Sequence, residues 1–127
     1  MASISNPRIQ TYKAGGAIAL GKAVKFGADA QTVVACEATT DKSIGIAQNP
    51  ATQAGDYVEV ALPGGGAKAL CQGAIAAGKL LTSHTDGSLK PVAAANDRVV
   101  AMAMDSGVAN DLIPVEVLIC QGTAVEA

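Results

Sequence analysis

Two stretches of the sequence have the residue types and spacing of a phosphate-binding loop. Gly16-x-x-x-x-Gly21-Lys22 and Gly73-x-x-x-x-Gly78-Lys79 both satisfy GxxxxGK, the pattern in which backbone N–H groups cradle phosphate oxygens and a lysine neutralises them. Val99-Val-Ala-Met-Ala-Met104-Asp105 adds an apolar run ending in a carboxylate suited to a metal ion. The chemistry fails at the next residue. A Ser or Thr must follow the lysine to hold Mg2+, and Ala23 and Leu80 stand there instead. The loop must also open a helix whose N-terminus faces the anion. Turn-forming residues arrive too soon for one, at Gly27-Ala-Asp29 and Thr85-Asp86-Gly87.

The remaining reactive side chains are equally poorly placed. His84 is the only histidine; it precedes Asp86-Gly87, has no nucleophile in an evident setting, and reads as an exposed turn residue. Asp41 and Asp97 occupy matched positions, as do Glu59 and Glu116, and paired carboxylates can hydrolyse glycosidic bonds. Turn-forming aspartates and solvent-facing strand glutamates explain them more simply. Cys36, Cys71 and Cys120 are odd in number and widely spaced, and no Cys and His set has zinc-ligand spacing. They read as small buried hydrophobes of a reducing compartment. Pro63-Gly64-Gly65-Gly66 could form an anion nest but reads as a linker. No catalytic residue, metal ligand or cofactor site is expected.

Why the loop pattern occurs twice is explained by an internal repeat. Gly16-Ala-Ile-Ala-Leu-Gly21-Lys22 returns 57 positions later as Gly73-Ala-Ile-Ala-Ala-Gly78-Lys79. Asp41-Lys-Ser-Ile-Gly-Ile-Ala47 returns 56 later as Asp97-Arg-Val-Val-Ala-Met-Ala103, and Tyr57–Leu62 matches Pro114–Ile119 at 57. The order predicts an N-terminal arm over 1–15, a first β unit over 16–62, a Gly-rich linker over 63–72 and a second β unit over 73–127.

Within each unit the pattern is that of strands. Asp56–Leu62 and Ile113–Ile119 alternate with period two, and short apolar runs are separated by Gly- and Asp-rich turns. Asp86-Gly87 predicts a type I′ hairpin turn. The 14 glycines interrupt every Ala-rich stretch that could run as a helix. The expected fold is all-β, a compact barrel or sandwich of two duplicated units with an N-terminal arm.

Composition limits the partners. Half the residues are apolar but aromatics are only 2%, so the core is rich in alanine and thin. At roughly 25 cal/mol per Å² of buried apolar area, such a core gains from burying further surface against copies of itself. Net charge is −2 without a basic stripe, which argues against nucleic acid. The N-terminal residues lack the apolar segment of a signal peptide and no run reaches ~18 apolar residues, so synthesis in a cytoplasm and no membrane partner are expected.

The succession of an arm, a Gly-x-Ile-x-x-Gly-Lys turn, a Ser43-Ile-Gly-Ile-Ala47 strand and Ala54-Gly55-Asp56-Tyr-Val-Glu-Val60, then repeated, resembles the tailed-phage capsid cement or head decoration proteins. That family was formerly a domain of unknown function, sometimes labelled recombinase-like. The resemblance spans about residues 10–120. It implies a non-enzymatic virion protein, assembled in the host cytoplasm, that sits outside the head and braces neighbouring capsomers. It also implies a homotrimer and the major capsid protein as partner. Ser3, Ile4, Ser5, Asn6, Pro7, Arg8 and Ile9 are the candidate contacts to capsid or sister subunit, by strand addition. Other expectations are a head fibre base, a tail component, or a small β-barrel that binds a ligand, the last disfavoured by so few aromatics.

Overall fold

The computed structural model describes residues 8–94 and 96–118, and every regular element among them is a β-strand. In chain order these are β1 (Ile9–Ala14), β2 (Ala23–Phe26), β3 (Thr32–Ala35), β4 (Gly45–Ala47) and β5 (Tyr57–Ala61). There follow β6 (Gly66–Leu70), β7 (Leu80–Ser83), β8 (Leu89–Pro91), β9 (Ala101–Ala103) and β10 (Leu112–Val117). The protein is all-β.

The first five strands close a barrel in the order β1-β3-β2-β4-β5. Closure comes from β1, which pairs antiparallel with β5 and parallel with β3. Alternation sends Tyr12, Ala14, Val24, Val33, Ala47, Val58 and Val60 inward, where they join Ile18 and Ala51 as one core. Only a few side chains fit inside so narrow a barrel, which explains why alanines share it with valines. At Gly45, β4 and β5 approach so closely that any Cβ would run into the Ala61 carbonyl oxygen.

The last five strands repeat this order as an open sheet, β6-β10-β9-β7-β8. The registers correspond. Ala23 pairs with Ile46 as Leu80 does with Met102, and Ile46 pairs with Ala61 as Met102 does with Glu116. The parallel β1–β3 contact shrinks in the second sheet to one bridge, Cys71 to Leu89. Strand β6 lies where the sequence predicts a linker, and β1, within the predicted arm, is paired on both sides. Gly64, at a φ of 91°, donates its N–H to Val117 O, and Val117 returns a bond to Gly65 O, so the triple glycine is a bonded turn entering β6.

The registers also move the third block of the repeat. Lys13 pairs with Tyr57 as Leu70 pairs with Leu112, so Tyr57 corresponds to Leu112 and not to Pro114. Gly55 and Asn110, both at positive φ, donate to the equivalent carbonyls of Ala14 and Cys71. A slip of two keeps every residue on its face, so alternation alone cannot detect it. Pro114 is tolerated in a central strand because its nitrogen points past the end of β9, where Met104 N–H bonds Pro114 O. The turn at Asp86-Gly87 also differs from expectation. Gly87 alone has positive φ there, its N–H bonds His84 O, and His84 N–H bonds Ser88 O, which is a type I turn closed by a left-handed glycine.

The two sheets share a second core. Ala23, Cys36, Ile46 and Ala61 point out of the barrel and are completely covered, packed with Ala67, Leu81, Val100, Val115 and Val117 of the second sheet. Polar bonds reinforce the seam. The Gln48 amide bonds both N–H and C=O of Lys68, acting as a surrogate peptide on the outer edge of β6. Gly21 O accepts from Leu70 N, and Gly87 O accepts from Ala23 N. Thr82 Oγ1 and Ser83 Oγ donate to the carbonyls of Thr39 and Ala38.

Candidate functional site

The first glycine-lysine loop turns into β2 rather than a helix, and several of its amides are already committed. Ile18 N–H bonds Ala51 O, Gly21 N–H bonds Ala47 O, and Ala23 N–H bonds Gly87 O. The second loop spends Ile75 and Gly78 on Gly107 and Ala103 carbonyls in the same manner. Lys22 borders an open groove of about 420 Å³ together with Ala17, Val34, Ala35, Cys36, Glu37, Thr85 and Asp86. Two carboxylates in that lining make it a poor receptor for phosphate. Asp86 ionises below the usual carboxylate range because the Ser88 hydroxyl and N–H bond it and Lys22 lies close. Asp105 accepts from Ser106 N–H in the turn after β9.

Asp41 and Asp97 close the same turn in the two sheets. Asp41 Oδ2 accepts from Glu37 and Ala38 N–H, and Asp97 Oδ2 accepts from Ala93 and Ala94 N–H. Lys25 Nζ adds an ion pair to Asp41 at 2.9 Å. Burial pushes both carboxyls up, but these N–H groups, with Lys25 at Asp41, more than reverse it. Asp29 and Asp56 are lowered too, chiefly by the N–H groups of Gln31 and Thr52. Depressed folded-state values mean that the unfolded chain binds more protons. The stability they contribute is therefore complete above the ordinary carboxylate range and lost as pH falls through it. Melting temperature should hold steady from about pH 7 to about pH 5 and drop below about pH 4. Asp97→Asn should melt lower at neutral pH and lose less on acidification; scanning calorimetry against pH measures both.

His84 opens the turn of the β7–β8 hairpin, as expected, but is half-buried rather than exposed. Glu59 lies on β5 opposite Thr11, and the corrected register gives it Pro114, not Glu116, as counterpart. Cys36 and Cys71 are buried free thiols, and burial pushes Cys36 up to about 11, so it stays a neutral thiol at ordinary pH. Cys120 lies outside the described residues. Among the described residues no cluster of His, Cys, Asp and Glu is arranged to hold a metal ion.

Of the arm, Ser3, Ile4, Ser5, Asn6 and Pro7 lie outside the described residues. Arg8 Nη1 donates to Pro63 O at 2.9 Å, and Arg8 O accepts from Leu62 N, so the arm's base is tied to the turn between the sheets. Ile9 opens β1 opposite Ala61, with 43% of its surface exposed. The surface holds more candidates that sequence reasoning missed. Phe26, Tyr57, Met104, Val108 and Leu112 are large, apolar and exposed, Tyr57 by 66%. Phe26 meets the barrel residue Tyr12 edge to face, with centroids 6.0 Å apart. Their signal was available in the alternation: Tyr57 and Leu112 fall on the outward parity of strands where polar residues are the rule.

Comparison with known proteins fits this surface-rich, strand-only body. The chain is similar to the head fibre gp8.5 N base of bacteriophage phi29, with a TM-score of 0.68 and 16% identity over 94% of this chain and 99% of that one. No curated protein matches it. A family model described as XM1 gp53 minor capsid protein matches residues 2–119. The chain therefore belongs to the XM1 gp53 minor capsid protein family, and is a structural component of a phage virion.

Proposed function

We infer that the protein is a capsid cement: it binds the outside of the phage head as a homotrimer and braces neighbouring copies of the major capsid protein, with no chemistry. The observation that carries this reading is the minor-capsid family match across nearly the whole chain. The body described above supports it. The loops that resemble a nucleotide site have spent several of their amides on the fold, and exposed apolar side chains elsewhere are suited to protein contacts. The arm residues Ser3, Ile4, Ser5, Asn6, Pro7, Arg8 and Ile9 extend this contact surface, to the shell or to a sister subunit. Many copies on one lattice turn modest contacts into large avidity.

Purified protein mixed with expanded, undecorated heads should co-sediment with them and raise the temperature at which they release DNA. Absence of binding at excess protein would refute the cement role. A second reading, the base of a head fibre, is favoured by the fold it shares with the gp8.5 N base. Electron microscopy of virions separates the two: cement lies flat on the shell, and a fibre base carries density projecting from it.

A further inference from the structure

Strand β1 is paired along its whole length on one side but only at its end on the other. On the β5 side Arg8 O accepts from Leu62 N–H and Ala14 N–H donates to Asp56 O, so by alternation Gln10 and Tyr12 also bond β5. Ile9, Thr11 and Lys13 turn their N–H and C=O groups to the opposite side. There the pairing with β3 begins only at Lys13, whose N–H bonds Gln31 O. No described residue bonds the outward N–H or C=O of Ile9 or Thr11, and Ile9, Gln10 and Thr11 are all exposed.

The second sheet shows the same edge when it is covered. The registers place Lys68 at the position of Thr11 and Leu70 at that of Lys13. The Gln48 amide bonds both N–H and C=O of Lys68, and Gly21 O takes the N–H of Leu70. The outer edge of β8 is closed in another way: Leu89 O accepts from Gln72 N–H, and Pro91 has no N–H to offer. Ile9-Gln10-Thr11 has neither a capping side chain nor the lysine or proline that commonly guards a strand edge.

We propose that this edge pairs antiparallel with the same edge of a second copy of the chain, across a two-fold axis at Gln10. The occupant follows from the edge being its own complement. The N–H and C=O of Ile9 in one copy meet the C=O and N–H of Thr11 in the other, and the reverse, so every free group finds a mate. The residues that would extend the ladder are Pro7, which has no N–H, and Lys13, whose N–H is committed to Gln31, so it stops by itself. Across it Ile9 faces Thr11 of the other copy, a β-branched pair that covers apolar surface Ile9 now exposes. So short a ladder is weak alone and gains from copies held side by side on a shell. The pairing rests on the cement reading for that crowding and adds an axis that a trimer lacks: it joins copies of neighbouring trimers.

Disulfide trapping at high protein concentration tests it, in chains carrying Cys120→Ser so that the remaining native thiols described, Cys36 and Cys71, are buried. Opposed Gln10 residues form a non-hydrogen-bonded pair about 4.5 Å apart at Cα, within the roughly 4.4–6.8 Å that a disulfide spans. Under mild oxidation Gln10→Cys should form a covalent dimer at least about tenfold faster than Ala76→Cys, an exposed position off this edge, because pairing raises the effective thiol concentration. Adding Thr11→Pro, which removes an edge N–H and leaves the β5 bonds intact, should abolish the difference. Circular dichroism checks that this variant folds, and Ile9→Lys replaces it if it does not. Deleting residues 1–7 should leave the rapid cross-linking in place. Equal rates for Gln10→Cys and Ala76→Cys would overturn the pairing, as would rapid cross-linking that survives Thr11→Pro. Loss of cross-linking on deletion of residues 1–7 would overturn it in favour of an exchanged arm. Binding of wild-type protein to undecorated heads is measured separately, so the pairing and the cement role fail on different results.

Discussion

Replacing Gly45 with valine should cost about 3 kcal/mol or more, a large share of the roughly 5–15 kcal/mol that holds a small domain folded. The first carbon of any side chain there runs into the Ala61 carbonyl oxygen, and the Val60 Cγ1 lies 2.7 Å from it. Neither neighbour can yield cheaply. The oxygen belongs to the backbone of β5, and Val60 is packed inside the barrel. Urea titration followed by circular dichroism measures the loss. Wild-type stability in Gly45→Val would mean that β4 and β5 can separate without harm. Gly16, whose added Cβ meets nothing within 4 Å, supplies the control: Gly16→Ala should change stability little.

The neighbouring residue gives the second large effect. Ile46→Ala should destabilise the protein by about 2–5 kcal/mol, the range for emptying a fully buried aliphatic site. Ile46 has no solvent exposure and belongs to the core that the barrel shares with the second sheet. The loss should appear as a downward shift of one unfolding transition with an unchanged slope, because the shared core couples the sheets. Met102→Ala, at the matching position of the second sheet, should cost about 1 kcal/mol in dilute monomer, since that side chain is only half-buried. Equal losses at the two positions would contradict this difference in burial between Ile46 and Met102.

Strand content and the recurrence of the Gly-Lys turn could be read from the sequence because both depend on local chemistry. Alternation in Tyr57–Ala61 and Leu112–Val117 is a short-range pattern, and the matched Asp41 and Asp97 bond amides three and four residues away. What the sequence hid is decided at longer range. Strand β6 starts on the last of three glycines and alternates through only Ala67, Lys68, Ala69 and Leu70, so its pairing partner, not its own pattern, makes it a strand. The true counterpart of Tyr57 is two positions from the one that letter matching selects, since Val58-x-Val60 matches Val115-x-Val117 by letter while the register sets it against Ile113-x-Val115. Which outward face is covered cannot be read at all from one strand: Ile46 and Met102 look alike until the second sheet is laid against one of them.

Each sheet is drawn from one continuous stretch of chain, β1–β5 over 9–61 and β6–β10 over 66–117. During synthesis the barrel can therefore close before its neighbour has left the ribosome. Until then the face of Ala23, Ile46 and Ala61 is a bare apolar patch on an otherwise finished body. A nascent chain halted there is sticky in the way that aggregating intermediates are. The Gly64 turn shortens that interval, since it delivers β6 to the Gln48 edge as soon as the next few residues emerge.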